Sequence, residues 1–175
     1  MSSARVAVRT ACSSDTATLA GAWFTAELAS LQESYPDGYP PEWFWMTDVE
    51  QVEQRWMAGV LNDPIGRAWV AEVDGVPAGF AQTGPSEARP QLGVLRSLYV
   101  APRAWGAGVG SALHAPALQA LAAAFTHAEV WVIEGNRRAR AFYERRGWSD
   151  AMESMRAPNG LPLVRYVRTF EGGTR

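Results

Sequence analysis

Lysine is absent from this chain: all 16 of its basic residues are arginine. The absence rules out a Schiff-base lysine and the lysine of an ATPase-type phosphate loop. Cysteine occurs once, at Cys12, so no intrachain disulfide forms and a reducing cytoplasm is the expected setting. No apolar run approaches the roughly 18 residues of a membrane span, and the first residues lack a secretory-signal pattern. Histidine is scarce too. His114 and His127 have no metal-ligand company, so both read as structural and no metal is expected. A charge excess is also missing: the net charge is −2 and the pI about 5.7, which gives no reason to expect nucleic acid or a membrane as partner. The local exception is a basic cluster at Arg137, Arg138, Arg140, Arg145 and Arg146. What remains is ordinary for a soluble protein, with 47% hydrophobic and 19% charged residues over a length of 175. One domain, residues 1–175, is long enough to bury a substantial core.

Residues 5–9 alternate polar and apolar side chains and read as a first strand. Ser14 or Asp15 then caps a helix whose apolar side holds Leu19, Ala22, Trp23, Ala26 and Leu31. An aromatic, proline-rich loop spans residues 35–41, and Asp48 caps a second helix carrying Val49, Val52, Trp56, Val60 and Leu61. Asp74-Gly75 is a hairpin signal between strands at 68–73 and 78–82. A strand from Leu92 to about Val100 leads into a glycine-rich turn and a long helix, from about Gly108 to Phe125. Pro116 predicts a kink or opened turn in that helix. Residues 129–133 form an apolar run that suits a doubly buried strand. A helix from Arg137 to Arg146 stops at Gly147, and two final strands, near 152–156 and 163–170, join through Pro158-Asn159-Gly160. The order β-α-α-β-β-β-α-β-α-β-β gives an α+β domain with a mixed central sheet of six or seven strands, flanked by about four helices.

The turn itself, Arg103 to Ser111, contains Gly106, Gly108 and Gly110 directly before a helix. Glycines let a ligand approach the main chain, and the free N–H groups of a helix start favour an anion. Three familiar phosphate or nucleophile patterns fail here. A dinucleotide fingerprint would need glycine where Ser111 stands, an ATPase-type loop would need lysine, and a nucleophile elbow would need glycines where Val109 and Leu113 stand. Further on, Asn136 follows the apolar strand, and Ala139, Phe142 and Tyr143 share one face of the next helix. Ala139 and Phe142 read as packing residues.

The two segments together resemble the GNAT superfamily of N-acetyltransferases. The resemblance rests on Leu98-Tyr99-Val100-Ala101-Pro102 and Gly106-Ala107-Gly108-Val109-Gly110. It rests equally on Asn136, Ala139, Phe142, Tyr143, Gly147 and Trp148. The close match covers residues 95–148. With Gly108 and Gly110 at the family's two glycine positions, Trp105 stands where arginine or glutamine is usual, and Arg103 is two residues too early; the alternative register, with Arg103, Gly106 and Gly108 in the pattern, gives a less usual spacing to the helix, and the first is favoured.

The resemblance implies transfer of an acetyl group from acetyl-CoA to a primary amine by direct attack. It implies pyrophosphate binding along the main chain of Trp105, Gly106, Ala107, Gly108, Val109, Gly110 and Ser111. The pantetheine arm would then run between two strands, against main-chain groups of Leu98, Tyr99 and Val100, with Asn136, Ala139 and Phe142 on its other side. Tyr143 is the implied general acid. Glu134 and Glu72 lie near the expected sheet centre, but each reads more readily as a solvated or acceptor-orienting carboxylate than as the base. Acceptor recognition falls to the aromatic and acidic segment that runs from Trp23 to Trp56, and the acceptor is a small molecule or a peptide. A homodimer stays open. Two other readings remain: a non-catalytic acyl-CoA-binding or sensing domain, and a protein-interaction module using the rings at 35–45.

Overall fold

In the computed structural model, which describes residues 5–44 and 66–171, strand β1 (Val6–Thr10) leads through a 3-10 turn at Ser13–Asp15 into helix α1 (Thr16–Ser34). Asp15 does not cap α1 with its side chain. Its carboxylate instead accepts from the Cys12 N–H at 2.8 Å and from the Arg9 guanidinium at 2.7 Å, tying the turn to β1. Strands β2 (Arg67–Val73) and β3 (Val76–Pro85) form the expected hairpin, and Asp74 and Gly75 take positive φ in its turn. Strand β4 (Gly93–Val100), helix α2 (Val109–Ala124), strand β5 (His127–Ile133), helix α3 (Arg137–Glu144) and strands β6 (Ser149–Arg156) and β7 (Pro162–Thr169) complete the order. The helix expected after Asp48, including Trp56, lies outside the described residues.

Seven strands form one sheet in the order β1-β2-β3-β4-β5-β7-β6, antiparallel except for the β4–β5 pair. This is the expected α+β domain with a mixed sheet, and three α-helices flank it among the described residues. β3 is buried from Ala78 to Gly84, as a central strand covered on both faces should be. Helix α2 covers one face, with Val109, Leu113, Ala117 and Leu121 packed with Ala71, Ala81, Leu95, Ala128 and Val130. α1 covers the other, where Leu19 meets Val70 and Phe80. Emptying such a site is costly: truncating Phe80 to alanine would lose about 3–5 kcal/mol. α2 continues through Pro116 as one helix. The proline fits although it cannot donate to the Ala112 carbonyl, because packing and not the single missing bond decides the helix.

The parallel pair β4–β5 is paired only at Gly93↔Ala128 and Val94↔Glu129. Two features end it there. Arg96 is an extra residue on β4, since Thr83 pairs with Leu95 and Gln82 with Ser97. Such a bulge bends its strand and sharpens the local twist. On β5, buried Glu129 accepts from Arg165 of β7 at 2.7 Å and from Arg89 at 3.0 Å, holding β5 to β7. Beyond this point the two strands part, leaving a wedge-shaped gap in the middle of the sheet.

Candidate active site

The gap is the mouth of a cleft of about 440 Å³ between α1, β4, the glycine-rich turn, β5 and α3. Its β4 wall follows from ladder geometry. The Ala101 N–H bonds the Ala78 carbonyl on the β3 side at 2.8 Å. Antiparallel strands alternate in the direction of their main-chain groups, so those of Tyr99 also face β3 and those of Leu98 and Val100 face the gap. The Trp105 indole N–H occupies the Val100 carbonyl at 2.7 Å. The Leu98 groups and the Val100 N–H are left turned toward the cleft.

At the rim, Gly106 and Gly108 have φ of 80° and 82°, values that side-chain-bearing residues rarely adopt, and Gly108 is the N-cap of α2. Gly110 is needed for a different reason: a Cβ there would lie 3.3 Å from the Phe142 ring. The turn thus exposes main-chain N–H groups at a helix start, with α3 packed closely behind it. Its charge environment is supplied by arginines from α3 and just beyond it. The Arg138 guanidinium sits 3.3 Å from the Trp105 ring centroid and pairs with Glu33 of α1 at 3.0 Å. Arg146 lies over the Phe142 ring and donates to the Ser111 hydroxyl. Arg103 points elsewhere, donating to the Pro77 carbonyl.

Tyr143 lines the cleft at 6% exposure, packed by Phe142, Trp148 and Tyr166. Burial pushes its phenol well above the ordinary tyrosine value of 10, outweighing the nearby Arg146 charge. It therefore stays protonated throughout the neutral range. His114 is next door and neutral: burial lowers its pKa to about 4, and its Nε2 accepts the Trp148 indole N–H at 3.0 Å. It belongs to the packing under Tyr143, as its lack of metal-ligand company suggested. His127 is exposed, with its Nδ1 2.9 Å from the Thr126 hydroxyl.

The structure brings the sequence-selected residues together. Leu98, Tyr99, Val100, Trp105, Gly106, Gly108, Val109, Gly110, Ser111, Asn136, Ala139, Phe142 and Tyr143 all line the cleft, whereas Ala107 does not. Asn136 has a fixed structural duty as well. Its Oδ1 accepts the Ala139 N–H at 2.9 Å, capping α3, and its Nδ2 donates to Ser30 of α1 at 2.7 Å. Glu134 is exposed, and Glu72 pairs with Arg9 at 2.9 Å; neither lines the cleft. Tyr35, Tyr39, Trp43 and Phe44 pack on Leu31, Ile133 and Leu161 instead of forming an open aromatic surface. Trp45 falls outside the described residues.

Sequence reasoning missed Glu27. It lines the cleft from α1 between Ala26 and Ser30, and it accepts a hydrogen bond from the Tyr99 hydroxyl, which in turn is bonded by Trp23. Burial raises the Glu27 pKa from the ordinary 4.5 to about 7, even though the Tyr99 bond works to lower it. The available signal was the spacing of Trp23, Glu27 and Ser30, which puts them on one stripe of α1. No charge pattern singled out this glutamate.

The cleft fits coenzyme A in its chemistry: a helix start and arginines for phosphates, and an unpaired strand edge for the amide-bearing arm. Among the described residues no group of three or more histidine, cysteine or acidic side chains gathers to hold a metal, and no helix is long and apolar enough to cross a membrane. A search of curated proteins finds no match. Among solved structures, a GCN5-related N-acetyltransferase from Kribbella flavida is 24% identical with a TM-score of 0.71, covering 94% of this chain and 98% of that one. A GCN5-related N-acetyltransferase from Rhodopseudomonas palustris is 21% identical with a TM-score of 0.70, covering 97% and 99%. The PaiA N-acetyltransferase of Thermoplasma acidophilum, solved in complex with coenzyme A, is 15% identical with a TM-score of 0.65 and covers 92% and 98%. These likenesses establish the shared fold. The profile of the Acetyltransferase (GNAT) family matches residues 24–148, which span both the turn and the Asn136–Trp148 segment, and the chain accordingly belongs to the GNAT acetyltransferase family.

Proposed function

We propose that the protein transfers the acetyl group of acetyl-CoA to a primary amine by direct attack of the amine on the thioester, with Tyr143 as general acid. The observation that carries this reading is the parted β4–β5 pair, which opens unpaired main chain and the start of α2 onto the same cleft as Tyr143. Within 105–111 the N–H groups of Trp105 and Ala107 are spent on the Pro102 and Ala104 carbonyls, so the remaining N–H groups at the start of α2, from Gly108 to Ser111, hold the pyrophosphate, aided by the helix dipole. Arg138, stacked on Trp105, returns to the rim the positive charge that the loop lacks. Main-chain groups of Leu98 and Val100 hold the pantetheine arm, and Ala139 and Phe142 bound it on the side of α3.

Acetyl-CoA supplies an activated acyl group. The chain's own residues supply orientation, an N–H directed at the developing oxyanion, and a proton for the departing sulfur. Tyr143 suits the last role because burial keeps its phenol protonated. The acceptor is a small-molecule or peptide amine, and the protein acts in the cytoplasm. The test is thiol release from acetyl-CoA across an amine panel, with mass spectrometry of the product. Acetyl-CoA binding by calorimetry without release on any amine would favour a sensing domain. Absence of binding would favour an interaction module.

A further inference from the structure

Glu27 is a carboxylate facing a cleft whose proposed acceptor arrives as a cation. It stands on α1, on the side of β4 opposite to α2, where the side chain of Tyr99 emerges between the gap-facing main-chain groups of Leu98 and Val100. That location is beside the strand edge proposed to hold the thioester, and away from the phosphate rim. The carboxylate is aimed by a chain of two hydrogen bonds, from Trp23 to the Tyr99 oxygen and from the Tyr99 hydroxyl to Glu27. A half-buried carboxylate with a neutral donor as its partner is expensive to keep charged. A bound ammonium would supply the missing countercharge.

We propose that Glu27 receives the acceptor's ammonium group and takes its proton, with Tyr99 as the residue that positions it. This rests on the acyltransferase reading above. The balance is simple. Glu27 takes one proton from R-NH3+ and passes it to water. The freed lone pair forms the C–N bond as the C–S bond breaks, the sulfur takes the Tyr143 proton, and the second nitrogen proton goes to Glu27, from which the Tyr143 phenolate is restored through solvent. One proton is released for each amide and thiol formed.

Among the described residues, the titratable groups around Glu27 are Tyr99 of β4 and Tyr143 of α3, both kept protonated through neutral pH by burial. Arg96, Arg138 and Arg145 line the same cleft. An acid limb of kcat/KM near pH 7 therefore belongs to Glu27.

The experiment compares wild type, Glu27→Gln and Tyr99→Phe on n-butylamine and 2-phenylethylamine, which are cations at neutral pH, and on O-methylhydroxylamine, which is not. Glu27→Gln is expected to lose roughly 100-fold or more in kcat/KM on the alkylamines and less than about tenfold on O-methylhydroxylamine. Its calorimetric affinity for acetyl-CoA should stay unchanged, which also shows that the variant is folded. Tyr99→Phe removes a bond that lowers the Glu27 pKa, so its acid limb should move to higher pH while Glu27→Gln loses the limb altogether. Equal losses on charged and neutral nucleophiles, or retention of alkylamine activity by Glu27→Gln, would overturn this proposal alone. No thiol release by the wild type on any of the amines would overturn the acyltransferase reading and this proposal together.

Discussion

If Glu27 is held at a site built for a cation, it should destabilise the protein that has no cation there, and Glu27→Gln should expose that cost. The variant keeps the shape of the side chain and an oxygen to accept from Tyr99. In the folded chain the carboxyl pKa is raised from 4.5 to about 7. The folded state thus binds the proton more tightly than the unfolded state, and stability must fall as pH rises from about 4.5 to about 7, then level off. Each pKa unit corresponds to about 1.4 kcal/mol, so the full shift sets a ceiling of about 3 kcal/mol, and residual solvent contact in the cleft lowers it to about 2. For a chain of this length 1 kcal/mol moves Tm by about 2–4 °C. Glu27→Gln should therefore melt about 4–8 °C above wild type at pH 8.5 and within about 1 °C of it at pH 4.5. Differential scanning calorimetry at the two pH values reads the difference directly. A gain of the same size at both pH values would mean that packing, not charge, is responsible. A loss at pH 8.5 would show that the carboxylate has a favourable partner in the free protein, and the reasoning would fail.

Three further outcomes are expected. Tyr143→Phe should reduce kcat about 10²–10⁴-fold without changing the acetyl-CoA affinity measured by calorimetry, and unchanged turnover at saturating substrates would remove Tyr143 from the chemistry. Arg138→Gln should raise the KM for acetyl-CoA roughly tenfold, the equivalent of about 1.4 kcal/mol, but leave the KM for acetyl-pantetheine, which has no pyrophosphate, nearly unchanged. A similar rise for both donors would place Arg138 elsewhere than at the phosphates. Asn136→Ala removes both the α3 cap and the bond to Ser30, and should cost about 2 kcal/mol in urea unfolding; a loss below about 0.5 kcal/mol would contradict both contacts.

The parts of the fold that were legible in the sequence are those fixed by local chemistry. Asp74-Gly75 is a strong turn signal, and the nearly continuous apolar run at 129–133 suited a buried strand. The glycines at 106 and 108 announced a backbone that must take positive φ, and the turn does. Long-range partners were not legible. Asn136 was recognised by its motif, yet its contact with Ser30 joins positions 106 residues apart in the chain, and no local pattern encodes it. No local pattern singles out Glu27, whose partner Tyr99 comes from β4. The rings at 35–44 misled for the opposite reason. Their alternation with acidic residues suggested a binding surface, but Leu31, Ile133 and Leu161 offer them an apolar floor, and burying that area outweighs leaving it open.

In the register that puts Gly108 and Gly110 at the family's glycine positions, Trp105 takes the place of an arginine or glutamine. An arginine there would bring charge and donors to the rim; the indole brings one N–H, and spends it on the Val100 carbonyl at 2.7 Å. That bond fastens the turn to the end of β4, so the N–H groups of the turn are held before any ligand arrives, and less ordering entropy is lost on binding. The indole face then seats Arg138 at 3.3 Å, where cation–π attraction holds a guanidinium that would otherwise rely on a weak, half-exposed pair with Glu33. The charge is thus moved from the turn to α3, with the tryptophan as its mount. On the far side of β4 the arrangement has the opposite sign, with Glu27 turned to the cleft and, among the described residues, the neutral Tyr99 and Trp23 behind it. In the proposed reading an anion at one end and a cation at the other each meet their complement, with β4 between them. A nucleophile bound at Glu27 and a donor held at the turn would approach one another across that single strand.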